Sequence, residues 1–123
     1  MNRCWCAVGL GGLLIAFQAY GQERHELHID DQGKVIKKHQ EHHAKSGHTI
    51  TWVRHSGASK PWYVKFDESP CAEGNEFGSD RVKTCTVNVS CRAKGDKGCK
   101  AYAYKSATGP AAAGDDPHVI IDP

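Results

Sequence analysis

Residues 49–53 read Thr-Ile-Thr-Trp-Val, and residues 62–66 read Trp-Tyr-Val-Lys-Phe. In both stretches the large apolar side chains recur at every second position, the period that places successive residues on opposite faces of a β-strand. β-Branched and aromatic residues, which favour strands, make up most of both stretches. The two stretches therefore predict two strands, each with one face in a core.

The same period of two recurs in shorter runs along the rest of the chain. Leu27 and Ile29 alternate with polar residues, and further strands are predicted at residues 82–91, 100–105 and 119–121. Residues 22–123 contain no run with the 3.6-residue period of an amphipathic helix. About six to eight short strands separated by turns predict an all-β fold, a single Greek-key β-sandwich.

The aromatic residues of these strands allow two interpretations. Trp52, Trp62, Tyr102 and Tyr104 are suited to an exposed ligand platform, but they share their strand faces with apolar residues such as Ile50 and Val64. Packing in the core is therefore the preferred prediction.

Residues 68–80, rich in glycine, serine and acidic residues, are predicted to form a long loop anchored by Phe77.

The N-terminus has the pattern of an export signal. Arg3 precedes an apolar run over residues 4–17, and Ala19-Tyr20-Gly21 places small residues at the −3 and −1 positions of a cleavage site. The run is shorter than the roughly 20 residues that span a bilayer. We expect a signal peptide at residues 1–21 and a single domain at residues 22–123, secreted or periplasmic, monomeric and without stable membrane insertion.

The cysteines support the same compartment. Two of the six lie in the predicted signal, and the other four are Cys71, Cys85, Cys91 and Cys99. They contain no Cys-x-x-Cys pair of the kind common in zinc sites. We predict two disulfides, with Cys71–Cys85 preferred for the long loop and Cys91–Cys99 for the following hairpin among the three pairings that four cysteines allow.

The order of these elements resembles the cupredoxin-like family, the fold of plastocyanin and azurin. The segments that carry the resemblance are Gly47-His48-Thr49-Ile50-Thr51-Trp52, Trp62-Tyr63-Val64-Lys65-Phe66, Tyr102-Ala103-Tyr104 and Asp116-Pro117-His118-Val119-Ile120-Ile121. Together they span roughly residues 26–122. The resemblance implies a β-sandwich whose ligand loops lie at one end.

The blue-copper ligands of that family are missing from the expected positions. Such a centre needs two histidines, a cysteine thiolate and usually a methionine. Lys60-Pro61-Trp62-Tyr63-Val64 contains no histidine, Lys105-Ser106-Ala107 follows Tyr104 where the family has its thiolate, and the only methionine is Met1. His118 is the one candidate left at that end. We expect no type 1 copper site.

Histidine is the sharper chemical signal. Seven of the eight histidines lie between residues 25 and 55, and His39, His42 and His43 form the tightest group. Imidazole binds Cu²⁺, Ni²⁺ and Zn²⁺. On a helical turn the three side chains would share a face, whereas on a strand His42 and His43 would point apart. A solvated, weakly basic edge segment is the alternative interpretation.

Charge and motifs narrow the function further. Sixteen basic against fourteen acidic residues leave an excess of only two positive charges, too few for a broad nucleic-acid-binding surface. No set of catalytic residues stands out. The sequence predicts a non-catalytic binding or structural module without a cofactor, whose partner is an unknown protein or small ligand. The alternative is a His-rich scavenger or carrier of Cu²⁺, Ni²⁺ or Zn²⁺ that uses His39, His42 and His43.

Overall fold

The computed structural model describes residues 23–109 and 116–123 of the chain. These residues form eight β-strands, which confirms the all-β prediction, and one 3-10 turn at Lys37–His39. The strands are β1 (Arg24–Ile29), β2 (Glu41–Lys45), β3 (Thr49–Arg54), β4 (Tyr63–Phe66), β5 (Glu76–Gly78), β6 (Thr84–Thr86), β7 (Ala101–Ala107) and β8 (His118–Asp122). The predicted signal peptide lies outside the described residues.

The strands form two sheets. A three-stranded sheet has the order β1-β3-β6, and a five-stranded sheet has the order β2-β8-β7-β4-β5. β1 pairs with β3 in parallel, and β2 pairs with β8 in parallel; the remaining neighbours are antiparallel. β1 and β2 are therefore edge strands, one in each sheet.

Trp52 on β3 joins the two sheets at the centre of the core. Its ring centroid lies 6.0 Å from that of Phe66, 5.1 Å from Phe77 and 5.6 Å from Tyr104, all of which belong to the five-stranded sheet. Its indole N–H donates to the Tyr104 hydroxyl. All four aromatic residues proposed for the core, including Trp62 and Tyr102, are buried, which confirms packing over an exposed platform.

Both predicted disulfides are present. Cys71 bonds to Cys85 of β6 and so joins the loop after β4 to the edge of the three-stranded sheet. Cys91 bonds to Cys99 across the loop between β6 and β7. Two disulfides in a domain of this size are typical of an oxidising compartment. None of the helical structure in the described residues is long and apolar enough to cross a membrane.

Three sequence predictions about the strands need correction. The predicted loop over residues 68–80 contains the short strand β5, because Phe77 is buried beside Val64 of β4 and its neighbours pair with that strand. The predicted strand over residues 82–91 narrows to β6 with a single further bridge at Val87. For the stretch that forms β2, the sequence did not distinguish a helical turn, a strand and a solvated edge segment; the structure shows an edge strand in which Ala44 is the one buried residue.

The segment between β1 and β2 follows the free edge of β1. Val35 bridges to Ile29, and the Ile36 N–H donates to the His28 carbonyl. At the start of this segment, Gly33 has a positive φ and lies so close to the Ala107 backbone that any side chain would collide with it. The chain then passes through the 3-10 turn into β2 on the opposite sheet, so β1 and β2 face each other across one edge of the sandwich.

Candidate metal centre

Six of the seven clustered histidines form a continuous row of imidazole rings along the edge between β1 and β2. In spatial order they are His48, His25, His42, His39, His28 and His55. Successive ring centroids lie 5.1, 4.7, 6.3, 5.4 and 5.2 Å apart. These residues are spread over 31 positions of sequence, from His25 to His55, so the fold and not a local His-rich tract brings them together.

Strand parity explains how the row forms. His25 shares the inward face of β1 with Leu27, and His42 shares the inward face of β2 with Ala44. Because both are edge strands, these inward positions meet at the open edge of the sandwich. His48 directly precedes β3, the strand paired with β1, and so lies beside His25.

Hydrogen bonds link the first three rings. His42 Nε2 lies 2.8 Å from His25 Nδ1, and His25 Nε2 lies 2.9 Å from His48 Nδ1. One set of neutral tautomers satisfies both contacts: each Nε2 carries the proton and donates to the Nδ1 of the next ring. With these tautomers, His42 donates to His25 and His25 donates to His48.

The surroundings of the row favour neutral histidine. Burial lowers the pKa of His25, and the nearby His48 lowers it further while Glu23 opposes the shift. Burial and the adjacent His25 lower the pKa of His42 to about 4. Burial and His28 lower the pKa of His39 in the same way. Neutral imidazole is the form that binds metal ions.

A three-donor group stands at one end of the row. Glu23, His25 and His48 each place one ligand atom within 4.8 Å of the other two. His25 Nε2 lies 3.6 Å from a Glu23 oxygen, and His48 Nε2 lies 3.9 Å from the other oxygen. Ligand atoms 2.0–2.1 Å from a tetrahedral metal lie about 3.3 Å apart, so these three donors need only small movements to reach one ion.

The three donors differ in how far they are buried. The side chains of His25 and His48 are 12% and 16% exposed, whereas that of Glu23 is 64% exposed. The two imidazoles are thus held by the sandwich edge, and the carboxylate approaches from solvent. Two histidines and one glutamate also leave a coordination position open to water or an exogenous ligand.

His42 is placed to orient His25 in such a site. A ligating histidine usually donates its second ring N–H to an acceptor nearby. If His25 ligates through Nε2, its proton moves to Nδ1. His42 then takes the tautomer with its proton on Nδ1, and its Nε2 accepts the hydrogen bond from His25 Nδ1–H at the observed 2.8 Å. The pKa of about 4 keeps His42 neutral, and therefore able to accept, at neutral pH.

The structure does not bring the sequence-predicted trio His39, His42 and His43 to one point. His42 faces the row, whereas His43 points to the opposite face of β2, where its Nδ1 lies 2.7 Å from Asp122 Oδ2. His39 Nδ1 accepts a hydrogen bond from the His28 backbone N–H. That bond requires the proton on Nε2, so His39 has no free lone pair to offer and instead caps the edge of β1.

The sequence pattern contained a signal for the donors that were missed. His25 lies two residues before inward-facing Leu27, so the parity of β1 already places it inward. His48 directly precedes the strand predicted from residues 49–53. What the sequence did not show is the parallel pairing of β1 with β3, which brings Glu23, His25 and His48 together.

In comparisons with known proteins, no family model, no curated protein and no solved structure matches this chain.

Proposed function

We propose that this protein is an exported, non-catalytic binding protein for a divalent transition metal ion, held by His25, His48 and Glu23. The donor set defines the class of ion. Imidazole nitrogens favour Cu²⁺, Ni²⁺ and Zn²⁺ over Mg²⁺ or Ca²⁺, which prefer oxygen ligands. With comparable geometry, Cu²⁺ is the ion such donors bind most tightly.

One observation carries this proposal: residues distant in sequence converge to put three donor atoms within 4.8 Å. The sequence alone favoured a binding or structural module without a metal. A merely solvated histidine edge would direct its imidazoles outward, as His43 does. Here His25 and His42 point inward instead, and they stay neutral because burial lowers the pKa of both.

Other features of the chain support the proposed compartment and fold. Two disulfides and the export-like N-terminus support a periplasmic or extracellular location. Two packed sheets of short strands support the cupredoxin-like resemblance, with a metal site at the β1–β2 edge replacing the family's copper site. Capture or carriage of a metal ion in that compartment is the role that fits these features.

Calorimetric titration of the purified, chelator-treated protein with Cu²⁺, Ni²⁺ and Zn²⁺ tests the proposal. We expect a Kd below about 10 micromolar for at least one ion, equivalent to roughly 7 kcal/mol of binding free energy. The double variant His25→Gln/His48→Gln should lose this binding, because glutamine supplies no imidazole nitrogen.

The matched control is His43→Gln, which removes a histidine from the same edge strand but from the opposite face. This variant should bind the ion as the unmodified protein does. Binding weaker than about 10 micromolar for all three ions would refute metal binding as the function. Equal loss in the control and in the double variant would refute the assignment of the site.

A further inference from the structure

A second pair of histidines lies at the other end of the row. His28 Nδ1 and His55 Nδ1 are 3.0 Å apart, and their ring centroids are 5.2 Å apart. In the metal-free protein one Nδ1 carries the proton and donates to the other; once that proton shifts to Nε2, both Nδ1 lone pairs are available to one metal ion. His28 is on the outward face of β1, and His55 is in the turn that follows β3.

A carboxylate stands on the far side of His28. Glu26 Oε1 lies 3.8 Å from His28 Nε2, and the two residues share the outward face of β1. A carboxylate that accepts the second ring N–H of a ligating histidine is a common support of metal sites. At 3.8 Å, Glu26 makes no hydrogen bond to His28 in the metal-free protein, but a small rotation of its exposed side chain would bring the carboxylate within reach of Nε2 and leave Nδ1, the atom that faces His55, to bind the ion.

The neighbouring His39 side chain supports the pair without binding the ion, because it contacts the backbone of His28. Its ring centroid lies 5.4 Å from that of His28, but its Nδ1 accepts the His28 backbone N–H. That hydrogen bond fixes the backbone of β1 at the residue that supplies the ligand. The pair therefore offers two nitrogen donors on a fixed strand edge, with the remaining coordination positions open to water.

The pair is distinct from the three-donor group. His25 and His28 are three residues apart on β1, which corresponds to about 10 Å of extended chain. They also occupy opposite faces of the strand, since His25 shares the inward face and His28 the outward one. A single ion therefore cannot use donors from both ends of the row.

We propose that His28 and His55 form a second Cu²⁺ site, positioned by Glu26 and weaker than the first because it has fewer protein ligands. Cu²⁺ is the appropriate ion, since nitrogen donors supplemented by water suit its tetragonal coordination. This inference goes beyond the proposed function, because it concerns a separate set of donors and predicts a stoichiometry of two.

Native mass spectrometry and a competition titration with Cu²⁺ on the purified protein test the second site. The unmodified protein should bind two ions with separable affinities. In His28→Gln/His55→Gln the weaker Kd should rise at least about tenfold while the tighter Kd is unchanged. In Glu26→Gln the weaker Kd should rise about tenfold, the usual effect of losing a carboxylate that supports a ligating histidine.

Two controls separate this inference from the first proposal. His43→Gln should still bind two ions, which excludes unspecific capture by any exposed imidazole. His25→Gln/His48→Gln should lose the tighter ion and keep the weaker one. A stoichiometry of one that depends on His25 and His48 would overturn the second site and leave the first. Two ions retained with unchanged affinities in His28→Gln/His55→Gln would overturn it as well.

Discussion

Different kinds of contact connect the strands and loops at the two edges of the sandwich. At one edge, the disulfide Cys71–Cys85 connects the loop after β4 to β6. At the other edge, β1 and β2 meet through the imidazoles of His25 and His42, which are 2.8 Å apart. The first connection is covalent, whereas the second consists of hydrogen bonds between groups that can gain a proton or bind a metal ion.

Because of this difference, the two edges should respond to different solution conditions. A disulfide responds to reductant and is unaffected by mild acid or metal ions. Three imidazoles of the row, His25, His39 and His42, have lowered pKa values, and acid acts on them because protonation places like charges side by side. The same row is indifferent to reductant. Perturbations of redox state, metal and pH should therefore act on opposite sides of one small domain.

The largest expected effect is at the disulfide edge. Removal of the Cys71–Cys85 bond in Cys71→Ala/Cys85→Ala should reduce the free energy of unfolding by about 3 kcal/mol, because the unfolded chain regains the entropy of an open loop. Cys85 is also buried, so the loss includes core packing. The melting temperature should fall by roughly 15 °C, as measured by thermal circular dichroism.

Cys91→Ala/Cys99→Ala, which removes the other disulfide, is the matched comparison. Its loop spans 8 residues instead of 14, so the expected loss is smaller by about 0.5 kcal/mol. Metal affinity at the histidine edge should be unchanged in both cysteine variants. A loss of metal binding on reduction would contradict the independence of the two edges.

The histidine edge should be strengthened by its ion. At a free metal concentration 100 times the Kd, binding to the folded state alone adds about 2.7 kcal/mol to the free energy of unfolding. That corresponds to a rise of roughly 10 °C or more in melting temperature for a domain of this size. In scanning calorimetry, His25→Gln/His48→Gln should show no such rise, and a rise equal to that of the unmodified protein would contradict the site.

Acid should weaken the histidine edge in the metal-free protein. The pKa of His42 is about 4 in the folded state and near 6.5 when unfolded, so the unfolded chain binds the extra proton first. Stability is therefore full above about pH 6.5 and is lost as the pH falls toward 4. The shift sets an upper limit of about 3 kcal/mol, and solvent screening at this half-buried group reduces the expected loss to about 1–2 kcal/mol.

Urea denaturation at pH 7 and pH 4.5 in the presence of a chelator measures this loss. His25 and His39 contribute in the same direction, because burial lowers the pKa of each. Asp31 and Asp96 do not interfere: backbone hydrogen bonds lower the pKa of both carboxyls, so their contribution is lost only below about pH 4. His42→Gln should lose less stability than the unmodified protein over this interval, and an equal loss would be evidence against the assignment.

The sequence predicted most of the scaffold because parity and cysteine spacing are local properties. The alternation around Trp52 and Val64 was enough to place the buried faces, and four cysteines in short loops were enough to favour the observed pairing. β2 and β5 were not predicted, since Ala44 and Phe77 provide too few buried positions for a clear pattern. The donor group was missed for a different reason: sheet pairing across the fold brings His25 beside His48, and spacing along the chain does not encode it.

The smallest expected effect concerns the two adjacent histidines of β2, which test whether position on the strand sets their roles. His43 is exposed and its partner Asp122 is at the surface, so His43→Gln should change the free energy of unfolding by less than about 0.5 kcal/mol at pH 7. His42→Gln breaks the part-buried contact with His25 and should cost about 1 kcal/mol. Urea denaturation of the two variants compares them directly. Equal losses would mean that the inward and outward faces of β2 are equivalent, and the orientation that underlies the proposed metal site would be wrong.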